Sequence, residues 1–204
     1  NKESSLMDFP YYLNYIELTK REASLIEHFD KNWQAKEMVF IGGGSIPFTS
    51  IILAQYYGVK STVIDLDPDA VAIATKLIEM LGLSNFISIE MGSGERYSNY
   101  TGDKIVFIAA LAGLEDLAKS EIFSNVINQV TSKQLVVTRS SWGLRQLLYK
   151  PVPVDLLLRM GFELLYEYHP TDEVINSVLI FKKANYEKLI HSPWYIRSRK
   201  NNFY

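Results

Sequence analysis

Phe40-Ile41-Gly42-Gly43-Gly44-Ser45-Ile46-Pro47-Phe48-Thr49 is the stretch that decides the fold. Three glycines follow an apolar run and precede a helical pattern, so their amides can approach a ligand at a helix N-terminus without side-chain interference. The dinucleotide fingerprint is not met, because its third glycine would fall on Pro47. The loop therefore favours a phosphate-free nucleoside ligand over a dinucleotide, with a tight turn that binds nothing as the alternative.

Short β-rich runs alternate with longer helical patterns along most of the chain, which is typical of a parallel sheet with helices on both faces. After Gly161 two strand-like runs leave no room for a helix, so Pro170-Thr171-Asp172 is predicted to join them as a hairpin. This α/β layout predicts the Rossmann-like fold of class I S-adenosylmethionine-dependent methyltransferases. Predicted strands are 38–41, 61–65, 87–91, 105–109, 134–138, 162–168 and 174–183, and predicted helices are 47–57, 68–81, 114–129 and 152–160.

Length and composition predict one soluble domain with small additions at its ends. The chain has 204 residues and a net charge of −2, which suits a single buried core. We expect a short helical cap over residues 1–36, an S-adenosylmethionine-binding domain over 37–183 and an extension over 184–204. No apolar run approaches the roughly 20 residues that span a bilayer, and the N-terminus does not resemble a secretory signal. These features predict a cytoplasmic protein that does not bind membranes.

Several classes of site are excluded by composition. The chain has no cysteine, which rules out disulfides, thiolate metal ligands and a cysteine nucleophile. His28, His169 and His191 are too far apart in sequence for a local metal motif, so no structural metal is expected. The balanced charge argues against nucleic acid as a partner. The sequence leaves the oligomeric state open, a homo-oligomer included.

An acid at the end of the second predicted strand is the candidate ribose ligand. Asp65 stands where doubly wound nucleotide folds place a carboxylate that accepts two hydrogen bonds from a ribose diol. Asp67 competes for this role, but the following Pro68 favours it as a helix N-cap. The residues predicted to contact the nucleoside are Gly42, Gly43, Gly44, Ser45, Asp65, Gly92, Ser93, Ala109 and Ala110.

Glu22 is the candidate catalytic residue. On a predicted helix it projects from the middle of an apolar stripe formed by Leu18, Leu25, Ile26 and Phe29. A carboxyl group on such a face is unfavourable unless paired, and a low-dielectric site raises its proton affinity toward that of a useful base. The alternative is a structural ion pair with an arginine or lysine from the sheet.

Arg139 stands at the end of the fifth predicted strand, directly after residue 138, and is the candidate anchor for an amino-acid carboxylate. A guanidinium group at the substrate end of the crevice can hold a carboxylate through two parallel hydrogen bonds. Pairing with Glu22 or Asp172 is the alternative.

Three segments resemble nicotianamine synthases. They read FPYYLNYIELTKRE at residues 9–22, RSSWGLRQLLY at 139–149 and YHPTDEVINSV at 168–178, and the glycine loop lies between the first two. The resemblance implies transfer of 3-amino-3-carboxypropyl groups from S-adenosylmethionine to an amino-acid amine, with release of 5′-methylthioadenosine, in the biosynthesis of a metallophore. It also matches Glu22 to the glutamate that orients and deprotonates the attacking amine.

The same resemblance suggests that Tyr12, Tyr15 and His169 wall the site, because aromatic faces suit a sulfonium cation; plain packing is the alternative.

Two rival functions remain, a small-molecule methyltransferase and a non-catalytic nucleoside-binding domain. A chain that begins at Asn1 predicts a natural N-terminus further upstream. Members of the family carry a longer helical region there, which leaves a truncated chain and a minimal enzyme as alternatives.

Overall fold

The structure is a computed structural model that describes residues 9, 11–113, 116–141, 151–169 and 177–185. Its helices are α1 (Tyr12–Phe29), α2 (Phe48–Tyr57), α3 (Pro68–Leu81), α4 (Asp116–Gln129) and α5 (Val154–Met160), with a short 3₁₀ helix at Trp33–Ala35. Its strands are β1 (Glu37–Ile41), β2 (Ser61–Asp65), β3 (Ile87–Met91), β4 (Lys104–Ile108), β5 (Leu135–Ser140), β6 (Phe162–Tyr168) and β7 (Ser177–Lys183).

The seven strands of the described residues form one sheet in the order β3-β2-β1-β4-β5-β7-β6. The first five strands are parallel, and β7 runs antiparallel to both β5 and β6. The predicted methyltransferase-like fold is thus confirmed. From β1 the chain adds β2 and β3 on one side, and it then returns to add β4 on the other side of β1. The carboxyl ends of β1 and β4 therefore flank the switch point where such sheets bind ligands.

Two hydrophobic clusters cover the two faces of the sheet. Alternation along β1 illustrates the division, because Phe40 packs in the cluster with α1 and α2 whereas Ile41 packs in the cluster with α4 and α5. The four residues from Met38 to Ile41 are all buried, as expected for a central strand covered on both faces. The sheet is therefore a rigid platform for the loops at its carboxyl edge.

Most predicted boundaries agree with the structure to within two residues. The strand predicted at 134–138 continues to Ser140, so that Arg139 pairs with Val178 of β7. The Asp67 carboxylate accepts a hydrogen bond from the Asp69 amide at 2.9 Å, which confirms the predicted cap of α3. The hairpin turn at 170–172, the start of the strand predicted at 174–183 and most of the 184–204 extension lie outside the described residues.

Within residues 1–36, the described part contains one long helix, α1, followed by the short 3₁₀ helix. Glu22, Leu18 and Ile26 are buried on α1, whereas Leu25 and Phe29 are partly buried against the same cluster. The predicted stripe therefore faces the core. Among the helices that the structure describes, none has the length and apolar character needed to cross a bilayer.

Candidate functional site

A cavity of about 1070 Å³ opens at the carboxyl edge of the sheet. Its walls come from the loops after β1 to β4, the start of α2 and one side of α1, and Arg139 of β5 lines it as well. The predicted site residues that line it are Tyr15, Gly42, Gly43, Gly44, Ser45, Asp65, Gly92, Ser93, Ala109, Ala110 and Arg139. Loops that follow different strands therefore meet at one site, as the fold predicts.

The glycine loop is packed closely against β2 and the segment after β4. The Gly42 amide donates to the Ile64 carbonyl at 2.8 Å. A side chain on Gly43 would overlap Val63, and Gly42 has a φ of 80° with Ala112 beside it. Only glycine fits this close approach, which explains the loop composition independently of any ligand.

We expect Gly43→Ala to lower the free energy of unfolding by about 1–3 kcal/mol, because the added methyl group would displace the buried Val63 side chain. Thermal unfolding checks this, and a loss of roughly 2–4 °C per kcal/mol is typical of this chain length. Ser45→Ala on the same loop adds no atoms and is the control. A Gly43→Ala protein with the wild-type melting temperature would contradict the close packing.

Asp65 joins the glycine loop to the end of β2. Its Oδ2 accepts a hydrogen bond from the Gly44 amide at 2.6 Å, and its Oδ1 accepts one from the Asp67 amide at 3.0 Å. A carboxylate has about four acceptor positions, so both oxygens retain capacity for ligand hydroxyls. Asp65 lines the cavity, whereas the Asp67 carboxylate caps α3.

The loop after β3 is held by buried polar contacts. The Gly94 carbonyl accepts hydrogen bonds from the Tyr100 hydroxyl and from the Asn125 amide, both at 2.9 Å. Burial raises the pKa of Tyr100 well above its ordinary value, which keeps the hydroxyl protonated as a donor. The cavity wall at Gly92 and Ser93 is therefore anchored to α4.

Aromatic rings form the cavity wall nearest α1. The Phe48 ring lies 4.8 Å from the Tyr15 ring and 4.9 Å from the Phe9 ring, centroid to centroid. Sequence reasoning did not select Phe9 or Phe48, although each belongs to a segment that was singled out. Tyr12 lies behind this wall, with its ring 5.6 Å from Phe48 and its hydroxyl 3.4 Å from Gln55. Because Tyr12 packs between α1 and α2, it does not reach the cavity.

Glu22 and Arg139 form a buried ion pair with two hydrogen bonds. The Arg139 Nε donates to Glu22 Oε1 at 2.7 Å, and one terminal nitrogen donates to Oε2 at 2.8 Å. The exposed fractions are only 1% for Glu22 and 5% for Arg139. This is the ion pair that the sequence left as the alternative for both residues; Asp172, the other partner considered, lies outside the described residues.

A third residue completes this cluster. The same terminal nitrogen of Arg139 donates to the Thr49 hydroxyl at 2.6 Å, and the guanidinium carbon lies 5.0 Å from the centre of the Phe107 ring. Arg139 and Thr49 line the cavity, whereas Glu22 lies behind them. Sequence reasoning missed Thr49; the signal that could have indicated it is the polar pair Thr49-Ser50 in the first turn of the helix that follows the glycine loop.

His169 lies outside the cavity lining. Its Nδ1 is 3.1 Å from the Ser177 hydroxyl and its Nε2 is 3.3 Å from a Glu167 oxygen. The adjacent Tyr168 is level with Arg139 in the sheet, but β7 separates their strands, which places them about 10 Å apart at ordinary strand spacing. The sheet order therefore explains why His169 is not brought to the site.

Acidic and histidine side chains do not cluster as metal ligands in the part of the chain that the structure describes. No group of three or more is close enough there to hold an ion.

Comparison with known proteins decides the family. The sequence profile of the family described as nicotianamine synthase protein matches residues 1–188. The chain belongs to the nicotianamine synthase family. The resemblance of the three segments is thus confirmed over nearly the whole chain.

Plant members of the family are similar to this chain along most of its length. Nicotianamine synthase 3 of Arabidopsis thaliana is 36% identical over 184 residues, which cover 86% of this chain and 55% of that protein. Nicotianamine synthase 2 of Oryza sativa subsp. japonica is 32% identical over 196 residues, which cover 91% of this chain and 58% of that protein. The chain thus spans somewhat more than half the length of these relatives.

Solved structures agree with this assignment. A glutamate-to-glutamine mutant of MtNAS in complex with S-adenosylmethionine has a TM-score of 0.77 and 30% identity, covering 89% of this chain and 66% of that one. MtNAS in complex with MTA and tNA also has a TM-score of 0.77, with 29% identity, covering 89% of this chain and 64% of that one. The glycopeptide N-methyltransferase MtfA, at 10% identity and a TM-score of 0.67 with 84% and 90% coverage, shares the fold alone.

Proposed function

We propose that this chain carries the catalytic core of an S-adenosylmethionine 3-amino-3-carboxypropyltransferase of nicotianamine synthase type. It would transfer this group to an amino-acid amine and release 5′-methylthioadenosine, in the synthesis of a metallophore. The observation that carries the proposal is one continuous cavity that joins the glycine loop and Asp65 to Arg139. Such a cavity offers a nucleoside site and a carboxylate site together. Membership of the family supports the proposal that they bind S-adenosylmethionine and the acceptor amino acid.

The proposed S-adenosylmethionine site lies along the loops after β1, β2, β3 and β4. The Asp65 carboxylate would accept hydrogen bonds from the ribose, and the small residues at 92–93 and 109–110 leave room for the rest of the nucleoside. The volume of about 1070 Å³ lies slightly above the roughly 300–1,000 Å³ of ordinary ligand sites. A nucleoside and a second amino acid can therefore occupy the cavity together. S-adenosylmethionine bound to MtNAS supports this assignment.

The proposed reaction is an in-line displacement. The lone pair of the acceptor nitrogen forms a bond to the γ-carbon of the methionine moiety as the bond from that carbon to sulfur breaks. The sulfur keeps the electron pair and leaves as a neutral thioether, and the nitrogen loses one proton to a base. The enzyme contributes mainly orientation and that base. The faces of Tyr15 and Phe48 in the cavity wall suit the sulfonium cation.

Arg139 and Glu22 are the residues that we assign to the acceptor amino acid. Arg139 lines the cavity and would bind the substrate carboxylate. Glu22 is held by hydrogen bonds from Arg139 and, unlike Arg139, does not line the cavity. One of these bonds must therefore open to give the amine access to the carboxylate. The incoming substrate carboxylate can replace it, because it offers the guanidinium an equivalent acceptor. Binding of the substrate would thereby free the base that acts on it.

Product analysis tests the proposed activity. Incubation with S-adenosylmethionine and single amino acids should give 5′-methylthioadenosine and an amino acid heavier by one aminocarboxypropyl unit, both detected by mass spectrometry. S-adenosylhomocysteine with a methylated product would instead show a methyltransferase. Binding of S-adenosylmethionine by a folded protein that yields neither product would favour a nucleoside-binding domain.

We expect Asp65→Ala to weaken S-adenosylmethionine binding by about 1–3 kcal/mol, the usual scale for hydrogen bonds to a charged group. Isothermal titration calorimetry measures this. Asp67→Ala is the matched control, since loss of the α3 cap should lower stability by about 1 kcal/mol with little effect on affinity. Equal affinities for Asp65→Ala and wild type would remove Asp65 from the site.

A further inference from the structure

Thr49 contacts the guanidinium group that the proposed reaction uses, although it belongs to a different part of the chain. Its hydroxyl accepts a hydrogen bond from Arg139 at 2.6 Å, and its exposed fraction is 3%. It lies in the first turn of α2, directly after the glycine loop. Thr49 therefore connects the nucleoside side of the cavity to the carboxylate side.

The contacts of Arg139 differ in how they respond to protonation of Glu22. The two bonds to Glu22 owe much of their strength to the negative charge of the carboxylate. If Glu22 takes up the substrate proton, that charge is lost and the ion pair weakens. The Thr49 hydroxyl and the face of the Phe107 ring carry no formal charge, so their attraction for the guanidinium persists when Glu22 becomes neutral.

We propose that Thr49 is a positioning residue that holds Arg139 in place while Glu22 gains and loses the substrate proton. This inference rests on the proposed aminocarboxypropyl transfer. The same terminal nitrogen of Arg139 donates hydrogen bonds to both Glu22 and Thr49. The bond to Thr49 therefore still holds this nitrogen when the Glu22 carboxylate is protonated. A guanidinium held in this way keeps the substrate carboxylate, and hence the attacking amine, aligned with the γ-carbon.

Two substitutions at Thr49 separate the hydroxyl from the shape of the side chain. Thr49→Val keeps the volume and removes the hydroxyl, whereas Thr49→Ser keeps the hydroxyl and removes a methyl group. We expect Thr49→Val to lower kcat by about 10-fold to 100-fold, the equivalent of one hydrogen bond to a charged group. Thr49→Ser should recover most of this loss. Affinity for S-adenosylmethionine should change little in either variant.

Ser50→Ala is the matched control. Ser50 is also buried on the first turn of α2, but its hydroxyl makes no hydrogen bond with the described residues. Removing it should leave kcat close to that of the wild type. This result would show that loss of a buried hydroxyl from this turn is not by itself the cause of the lower kcat in Thr49→Val. Melting temperatures of all variants should be measured, with kcat determined well below the lowest of them.

A second measurement reports the position of Arg139 without turnover. The ¹⁵Nε–H resonance of Arg139 in nuclear magnetic resonance spectra, assigned by its loss in Arg139→Lys, should exchange faster with water in Thr49→Val than in the wild type or Thr49→Ser. The difference should grow when Glu22→Gln is added, because the neutral amide mimics the protonated carboxyl group. Unchanged exchange and unchanged kcat in Thr49→Val would overturn the inference. A wild-type protein that forms no 5′-methylthioadenosine would instead contradict the proposed function, and the exchange data would remain interpretable.

Discussion

Glu22→Gln is expected to lower turnover by about 10²–10⁴-fold, the range typical of losing a general base. Glutamine keeps the shape of the side chain and one acceptor oxygen, but it cannot take a proton from the amine. S-adenosylmethionine affinity should change little, since the proposed nucleoside contacts lie around Asp65. Steady-state release of 5′-methylthioadenosine and calorimetric titration of S-adenosylmethionine on one preparation measure both quantities.

The same substitution is also expected to reduce stability. It leaves the buried Arg139 without its anionic partner, and removal of one partner from a buried pair costs about 3–5 kcal/mol. Because glutamine retains one acceptor, we expect the lower end of this range, a loss of roughly 6–12 °C in melting temperature. Turnover must therefore be measured per folded molecule, below the unfolding transition of the variant.

Glu17→Gln is the control for this experiment. Glu17 is on the same helix, but its side chain is 64% exposed and contacts Lys20 at 3.5 Å. Exposed pairs of this kind contribute little to stability, so Glu17→Gln should match the wild type in turnover and melting temperature. If the folded Glu22→Gln protein kept near-wild-type turnover, Glu22 would be a structural partner of Arg139 and not the base.

The sequence predicted the fold well because periodicity and turn chemistry reveal the elements of this sheet. The apolar run before Gly42 indicated β1, and Asp67-Pro68 marked the start of α3, which the structure confirms. Glu22 stands out on its helix because acids are rare on an apolar stripe, and it is indeed buried. Local patterns thus identified which residues face the core and which loops meet at the carboxyl edge.

Contacts between distant segments could not be predicted in the same way. Arg139 is 117 residues from Glu22 and 90 residues from Thr49, and no local pattern specifies which pair forms among the possible partners. Tyr12 and Tyr15 both lie in the first matching segment, yet only Tyr15 of the two lines the cavity. Which side chain reaches the site depends on the packing of α1 against α2, which is a property of the tertiary structure.

Replacing both members of the ion pair should separate its structural role from its chemical role. Glu22→Leu with Arg139→Met fills the site with apolar side chains of similar size and leaves no buried charge at either position. Exchanges of this kind are often neutral or stabilising by about 1–4 kcal/mol. We therefore expect the double variant to unfold at or above the wild-type temperature, whereas Arg139→Met alone should lose about 3–5 kcal/mol, because it leaves Glu22 buried without a partner.

In the double variant, turnover should be lost although stability is kept. The double variant has neither the proposed carboxylate anchor nor the proposed base, so it should form no 5′-methylthioadenosine above background while still binding S-adenosylmethionine. A stable and inactive double variant shows that the buried pair is present for the reaction, since the fold is maintained without it. A stable double variant that still transfers aminocarboxypropyl groups would remove both residues from the mechanism and direct attention to other groups that line the cavity, such as Tyr15 and Glu95.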